Sequence, residues 1–169
     1  MSETLKRDQA VALSKLRPDE ALAKARSISD PWYRAQALAW VARFSPRDAV
    51  KLAAEASQAA RECDDVYKQV AVRAWEVAAL AESGHLAEAK KSLDGAIRDS
   101  TRVTPVASKA EAMFLLLQAA SRIGASERDF VHERLKCECP ADSHWRCKRA
   151  LKNAQLICSG GQLPRQFFW

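Results

Sequence analysis

A short phrase recurs along this chain: an acidic residue, a three-residue spacer that ends in an aromatic residue, and then a basic residue. It occupies residues 30–34, 64–68 and 142–146, and a worn copy without the acid or the aromatic occupies residues 105–109. A period near 35–40 residues is typical of repeats in which each unit is a pair of packed helices. The phrase therefore predicts stacked helical hairpins. The basic residues that end its four copies lie 34, 41 and 37 positions apart and are Arg34, Lys68, Lys109 and Arg146.

The phrase suits the start of a helix, because an aspartate at a helix boundary can accept hydrogen bonds from the first free backbone N–H groups. Pro31 follows Asp30 and fits the first helical position, where its missing N–H is not needed. The basic residue of the phrase follows the acidic residue by four positions and lies on the same helix face. Such a pair stabilises a helix by about 0.2–0.5 kcal/mol. A cation near the N-terminal end of a helix is otherwise unfavourable. The recurrence of a basic residue there therefore indicates either pairing with the aspartate or contact with an acidic partner. The expected pairs are Asp30–Arg34, Asp64–Lys68 and Asp142–Arg146.

The composition favours an all-α domain with a substantial core. Of 169 residues, 48% are hydrophobic, and only 5 are glycine and 6 proline, which leaves little turn material for a sheet. Alanine-rich runs at residues 35–42, 49–60 and 71–81 favour helix and let neighbouring helices approach closely. No run shows the alternation of a strand.

Proline and glycine mark the expected helix boundaries. Prolines 18, 31, 46 and 105 are typical starts, whereas Gly84, Gly124 and the Gly160–Gly161 pair are typical stops. We expect a lead-in helix in residues 1–17, a helical repeat domain in residues 18–158 and an aromatic tail in residues 159–169. The nine predicted helices cover residues 3–16, 18–28, 31–44, 46–62, 65–83, 86–101, 105–123, 126–135 and 143–158.

One segment carries a family motif. Starting at Gly84, the spacing Gly-x4-Ala-x3-Leu-x2-Ala runs through Ala89, Leu93 and Ala96. It resembles the turn and second helix of a tetratricopeptide repeat, and as an architecture the resemblance extends over residues 18–158. The resemblance implies a right-handed α-α superhelix of antiparallel helix pairs that binds protein or peptide segments on its concave face. It implies no catalytic residues.

The positive charge is concentrated near the C-terminal end. The formal net charge is +6; residues 1–142 hold 22 basic and 21 acidic residues, whereas residues 143–169 hold 5 basic residues and no acid. Such a cluster can attract an acidic partner or touch phosphate, or it can be the solvated face of a capping helix. Candidate partner-binding residues are the repeated bases and the C-terminal cluster: Arg34, Lys68, Lys109, Arg146, Lys148, Arg149 and Lys152.

Four soft ligands lie close together in the sequence just before and within the last helix: Cys137, Cys139, His144 and Cys147. Together they could hold a tetrahedral zinc ion, although their spacing differs from the common zinc-finger patterns. The alternative is a set of reduced thiols without a cofactor. With zinc, the basic last helix would suit a nucleic-acid-binding module, which is the second function that this segment allows.

The remaining features point away from export and catalysis. The charged N-terminus is unlike a secretory signal, and no apolar run is long enough to cross a bilayer, so we expect a cytoplasmic protein with no membrane partner. The three histidines are scattered, and neither a phosphate-binding loop nor a nucleophile elbow is present.

The sequence thus predicts a non-catalytic protein-interaction or assembly module with a protein or peptide partner. Three consecutive aromatic residues at positions 167–169 suggest docking onto the domain, a homodimer contact or a short recognition peptide.

Overall fold

The chain folds into helices, as its composition predicts. The computed structural model describes residues 2–163, and within this range every regular element is an α-helix. α5 and α6 are separated only by Val72, so counting them as one interrupted helix gives the nine predicted helices in this range. The helices are α1 (Glu3–Leu13), α2 (Pro18–Arg26), α3 (Pro31–Arg43), α4 (Ala49–Arg61), α5 (Val66–Ala71), α6 (Arg73–Glu82), α7 (Leu86–Ser100), α8 (Val106–Ala120), α9 (Ala125–Glu138) and α10 (Trp145–Cys158).

Aspartate side chains cap two of the helices that begin within a copy of the repeated phrase. Asp30 is the N-cap of α3 and accepts a hydrogen bond from the Trp32 backbone N–H at 2.9 Å, with Pro31 in the first turn. Asp65 is the N-cap of α5 and accepts from the Lys68 N–H at 2.7 Å. These bonds satisfy backbone donors that have no partner within the helix.

The expectation that the first acid of every copy is the cap is wrong at two sites. Before α5 the cap is Asp65 rather than Asp64. Before α10 the cap is His144, whose Nδ1 accepts from the Arg146 N–H at 3.1 Å, and not Asp142. The phrase therefore shifts relative to the helix start from one unit to the next, because more than one side chain in each copy is able to cap.

The predicted pairing of acid and base within each phrase forms in one copy of three. Lys68 donates to Asp64 at 2.8 Å. Arg34 pairs with Glu62 at the end of α4, and Arg146 pairs with Glu111 of α8 at 3.7 Å. The long arginine side chains reach acids on neighbouring helices, so tertiary contacts replace the local pairs.

Successive hairpins pack side by side. α1, α3, the α5–α6 pair, α8 and α10 form a row in which each element contacts the next, and α2, α4, α7 and α9 pack against this row. Alanines such as Ala39 in α3 and Ala78 in α6 are fully buried, which lets the helices approach closely. Larger residues fill the middle of the core at α8, where Met113, Leu116 and Leu117 are buried. The all-α fold is confirmed, whereas the right-handed superhelix stays a prediction.

Two of the predicted glycine stops have the expected backbone. Gly84 and Gly160 have φ values of 84° and 81°, in the left-handed region that glycine adopts at low cost. After α6 the His85 N–H donates to the Leu80 carbonyl at 2.9 Å, which closes that helix. Within residues 2–163, no helix combines the length and the apolar character needed to cross a bilayer. The aromatic residues 167–169, for which docking or dimerisation is predicted, lie outside the described residues.

Candidate binding cleft between α5, α8 and α10

A cleft of about 310 Å³ opens where α5, α8 and α10 meet. The three helices meet because α8 packs against both α5 and α10 in the central row. One wall is aromatic and apolar, and the opposite wall carries two arginines of α10. The lining residues are Tyr67, Glu111, Phe114, Leu115, Arg146, Arg149, Ala150 and Asn153.

The centre of the cleft is a carboxylate between two guanidinium groups. Glu111 accepts a hydrogen bond from Arg149 at 2.7 Å and lies 3.7 Å from Arg146. Both guanidinium groups also lie against the Trp145 ring, at 5.5 Å for Arg146 and 4.9 Å for Arg149. Stacking on an aromatic ring restricts an arginine side chain, so less entropy is lost when it binds an anion. Because one carboxylate faces two guanidinium groups, the cleft keeps a net positive charge.

The opposite wall continues into an aromatic cluster. Tyr67 stacks on Trp32 with ring centroids 6.4 Å apart, and Trp32 meets Trp75 edge to face at 6.1 Å. Burial, and next the negative charge of Glu111, raises the pKa of the Tyr67 phenol, so its hydroxyl stays a hydrogen-bond donor at neutral pH. That hydroxyl has no hydrogen-bond partner among residues 2–163, and Tyr67 lines the cleft.

Beyond the cleft, α10 adds further positive charge. Lys148 and Lys152 are exposed, and neither has an ion-pair partner in the described part of the chain. No acidic residue lies on α10 or between it and residue 163. Of the seven predicted partner-binding residues, the fold brings Arg146 and Arg149 together in the cleft and places these two lysines on the same helix.

The other three predicted residues are in ion pairs elsewhere. Arg34 pairs with Glu62 and also donates to the Ile28 and Ser29 carbonyls at 3.0 and 3.1 Å. Lys68 is held by Asp64, and Lys109 lies 3.6 Å from Glu138 of α9. None of the three lines the cleft. Their contacts tie helix starts to neighbouring elements.

The four candidate zinc ligands do not form a site in the described residues. Cys137 is exposed whereas Cys139 and Cys147 are buried, and the Cys147 Sγ lies 3.9 Å from the Val106 carbonyl oxygen. His144 uses its Nδ1 to cap α10. Across residues 2–163, no group of three or more His, Cys, Asp or Glu side chains is arranged to hold a metal ion. Burial also raises the pKa of the Cys139 thiol to about 11.

Sequence reasoning missed Glu111, Phe114 and Asn153 of the cleft. The sequence does contain a signal for Glu111, because it is the single charged residue between Ala110 and Leu117 in an otherwise apolar part of α8. A charge in such a run is buried with a partner or faces a polar opening. Phe114 and Asn153 have no such signature, since their roles depend on which helices become neighbours.

We compared the chain with protein-family models, with curated proteins and with solved structures, and none of the three comparisons found a match. The resemblance to tetratricopeptide repeats therefore stays a prediction from the spacing in α7.

Proposed function

We propose that this protein is a non-catalytic interaction module that binds an acidic peptide segment of a protein partner in the cleft between α5, α8 and α10. The observation that carries the proposal is the pair of arginines, Arg146 and Arg149, which flank Glu111 and stack on Trp145. A guanidinium group binds a carboxylate through two parallel hydrogen bonds. A glutamate or aspartate of the partner would replace Glu111 as the hydrogen-bond acceptor of one of the two arginines.

The surroundings of the arginines suit a peptide better than an isolated carboxylate. Phe114 and the Tyr67 ring offer apolar contact beside the charged centre, and the Tyr67 hydroxyl offers a donor. Lys148 and Lys152 increase the rate at which an acidic segment approaches, and salt would weaken this attraction. Glu111 is the one carboxylate in the described lining of the cleft, and it is held in ion pairs, which suits binding rather than acid–base chemistry.

A titration with labelled synthetic peptides tests the proposal. One peptide carries glutamates around a central aromatic residue, and its control replaces every glutamate with glutamine. We expect fluorescence anisotropy to show binding of the acidic peptide alone, and binding should weaken as salt is raised from about 50 to 300 mM. Arg149→Gln should weaken binding about tenfold, because a charge-assisted hydrogen bond is lost. Arg17→Gln, a matched change at an exposed residue paired with Glu20, should have no effect.

Equal binding of the acidic and amide peptides, or an Arg149→Gln variant that binds normally, would contradict the proposal. The nucleic-acid alternative is tested in the same assay, because Trp145 is 60% exposed on the basic helix and aromatic rings stack on bases. A labelled single-stranded oligonucleotide that binds more tightly than the acidic peptide, and loses this binding in Trp145→Ala, would replace the peptide as the preferred ligand.

A further inference from the structure

A second opening lies between α4 and α7, with α6 as its floor. Its volume is about 500 Å³, and it shares no lining residue with the cleft described above. α4 and α7 each pack against α6, and small residues line the gap between them, including Ala54 in α4 and Gly95 in α7. We call this opening the α4–α7 groove.

One end of the groove is apolar. Ala53 of α4, Leu80 of α6 and Ala89 of α7 pack together in a small hydrophobic cluster, separate from the main core. Val50, one turn before Ala53, also lines the groove and is 41% exposed. Exposed apolar surface beside a concave opening suits contact with an apolar ligand group.

The opposite end is cationic. Arg61 is the last residue of α4, and Arg98 lies in the last turn of α7, so both stand at the end of the groove away from Val50. Lys91 lies two helical turns before Arg98 on the same side of α7, about 10 Å away along the axis. All three side chains are exposed. Arg61 donates hydrogen bonds to the Ser57 hydroxyl and to Gln58, and its charge also acts on Glu76. Lys91 and Arg98, by contrast, have no ion-pair partner among residues 2–163.

The floor at this end is a buried polar network. Arg73 donates to the Ser92 carbonyl at 3.1 Å and lies 3.4 Å from Asp99 and 3.7 Å from Glu76. Glu76 is only 4% exposed and accepts a hydrogen bond from the Ser92 hydroxyl. The Arg73 Nε atom has no hydrogen-bond partner among the described residues. Burial raises the pKa of the Glu76 carboxyl, against the lowering effect of a hydrogen bond with the Ser57 side chain. The unsatisfied Arg73 Nε is a buried donor that an oxyanion can use, whereas the Glu76 carboxylate is an acceptor and gains nothing from an anion.

The lining of the groove carries four cations and three acids, so its positive charge is only partly offset. Glu76 is paired with Arg73, and Asp99 is shared between Arg73 and Arg102. Glu88 is exposed on the first turn of α7, toward the apolar end. Arg61 and Arg98 at the other end, with Lys91 between the two ends of the groove, therefore leave a small excess of positive charge beside an apolar surface.

From this polarity along the groove, we propose that the α4–α7 groove binds a small amphiphilic anion. The apolar body of the ligand lies over Val50 and Leu80, and its carboxylate or phosphate head lies between Arg61 and Arg98. The shared chemistry of the two heads is an oxyanion that accepts several N–H donors at once, which the guanidinium fork fits. This ligand is independent of the acidic peptide proposed for the other cleft.

Calorimetric titration with eight-carbon probes tests the proposal below their micelle concentrations. Octanoate and octyl phosphate supply the two heads, and octylammonium is the control with the opposite charge. We expect at least one of the anions to bind at a single site with a Kd of roughly 0.1–1 mM, and octylammonium to bind at least tenfold more weakly. The double variant Arg61→Gln/Arg98→Gln should weaken anion binding by tenfold or more, and it should fold normally because both residues are exposed.

Two further variants separate this site from the rest of the surface. Val50→Asp places a negative charge at the apolar end and should also weaken binding of both anions. Arg149→Gln, which removes the same charge from the peptide cleft, should leave anion binding unchanged. The proposal is overturned if neither anion binds, if octylammonium binds as tightly as the anions, or if the Arg61→Gln/Arg98→Gln variant binds normally.

Discussion

Trp32 and Tyr67 stack on each other with ring centroids 6.4 Å apart and ring planes inclined by 24°, although 35 residues separate them in the chain. Each lies two residues after an aspartate N-cap, Asp30 for Trp32 and Asp65 for Tyr67. The two rings therefore occupy equivalent positions in consecutive hairpins. Their contact ties one helix start to the next, and Tyr67 also lines the cleft between α5, α8 and α10.

We predict that the stacked pair contributes a measurable coupling energy. In a double-mutant cycle of Trp32→Leu and Tyr67→Leu, urea unfolding should show a coupling of about 0.5–1.5 kcal/mol, as for other aromatic pairs. A control cycle pairs Trp32→Leu with Trp145→Leu, because no ring contact joins these two tryptophans. That cycle should be additive within about 0.5 kcal/mol. Additivity in both cycles would show that the stack contributes nothing beyond burial.

Capping aspartates and their sequence neighbours should differ in their effect on stability. Asp30→Ala and Asp65→Ala should each lower the free energy of unfolding by about 1 kcal/mol, because a backbone donor loses its acceptor. Asp142→Ala should cost close to nothing, since His144 caps α10. Asp64→Ala removes only the exposed pair with Lys68, which solvent screens, so this variant should be little less stable than the wild type. Chemical denaturation of the four variants provides the test, and a large loss in Asp142→Ala would contradict it.

The buried carboxyl of Glu76 should make stability depend on pH. Burial raises its pKa above the ordinary 4.5, against the lowering effects of Arg73 and of the Ser92 hydrogen bond. The unfolded chain then releases this proton at a lower pH than the folded chain. The contribution of Glu76 to stability is therefore present below about pH 4.5 and is lost as pH rises through the raised folded pKa.

Glu76→Gln removes this titration, so its stability relative to the wild type should increase as pH rises above 4.5, by about 1.4 kcal/mol for each pKa unit of difference. Thermal unfolding in a pH series measures this difference. Glu133→Gln, the same substitution at a carboxylate whose side chain is 65% exposed, is the control for the substitution itself. A constant difference between Glu76→Gln and the wild type across the series would disprove the prediction.

Gly95 leaves room for the Arg73 guanidinium group. A methyl group at Gly95 would lie 3.2 Å from an Arg73 nitrogen, closer than ordinary packing allows. Gly95→Ala should also gain up to about 1 kcal/mol of stability from the higher helix propensity of alanine. In the wild-type background this gain opposes the cost of the close contact with Arg73. In an Arg73→Met/Glu76→Gln background the guanidinium group is absent and only the gain in helix propensity remains. Gly95→Ala should therefore raise the free energy of unfolding more in that background than in the wild type. Equal effects in both backgrounds, measured by urea unfolding, would refute this account.

The cysteines should react at very different rates. Cys137 is exposed, whereas burial raises the pKa of the Cys63 and Cys139 thiols to about 11. Because the thiolate is the reactive form, a maleimide at neutral pH should label Cys137 first and leave the two buried thiols unlabelled until the chain opens. Mass spectrometry of tryptic peptides gives the order, with urea-unfolded protein as the control in which all react. Labelling of Cys63 or Cys139 as fast as Cys137 would contradict their burial.

Local signals in the sequence were sufficient for the number of helices and for most of their ends, although α4 begins at Ala49 rather than Pro46 and the helix predicted over residues 65–83 is interrupted at Val72. Prolines 18 and 31 stand at the first residues of α2 and α3, and Gly84 ends α6, because these residues act through the backbone of their own turn. Alanine-rich composition and the absence of alternating patterns were enough for the all-α fold. These features depend on neighbours only a few residues away, so they can be predicted before any helix packs.

Tertiary structure alone decided which charges meet. Arg34 and Arg146 could pair locally with Asp30 and Asp142, yet they pair with Glu62 and Glu111 because packing brings those acids within reach. The cleft between α5, α8 and α10 and the α4–α7 groove likewise each consist of side chains from three helices. An ion pair or an opening between helices depends on positions that are tens of residues apart in the chain, and the energy of a local pair in water is too small to determine the choice.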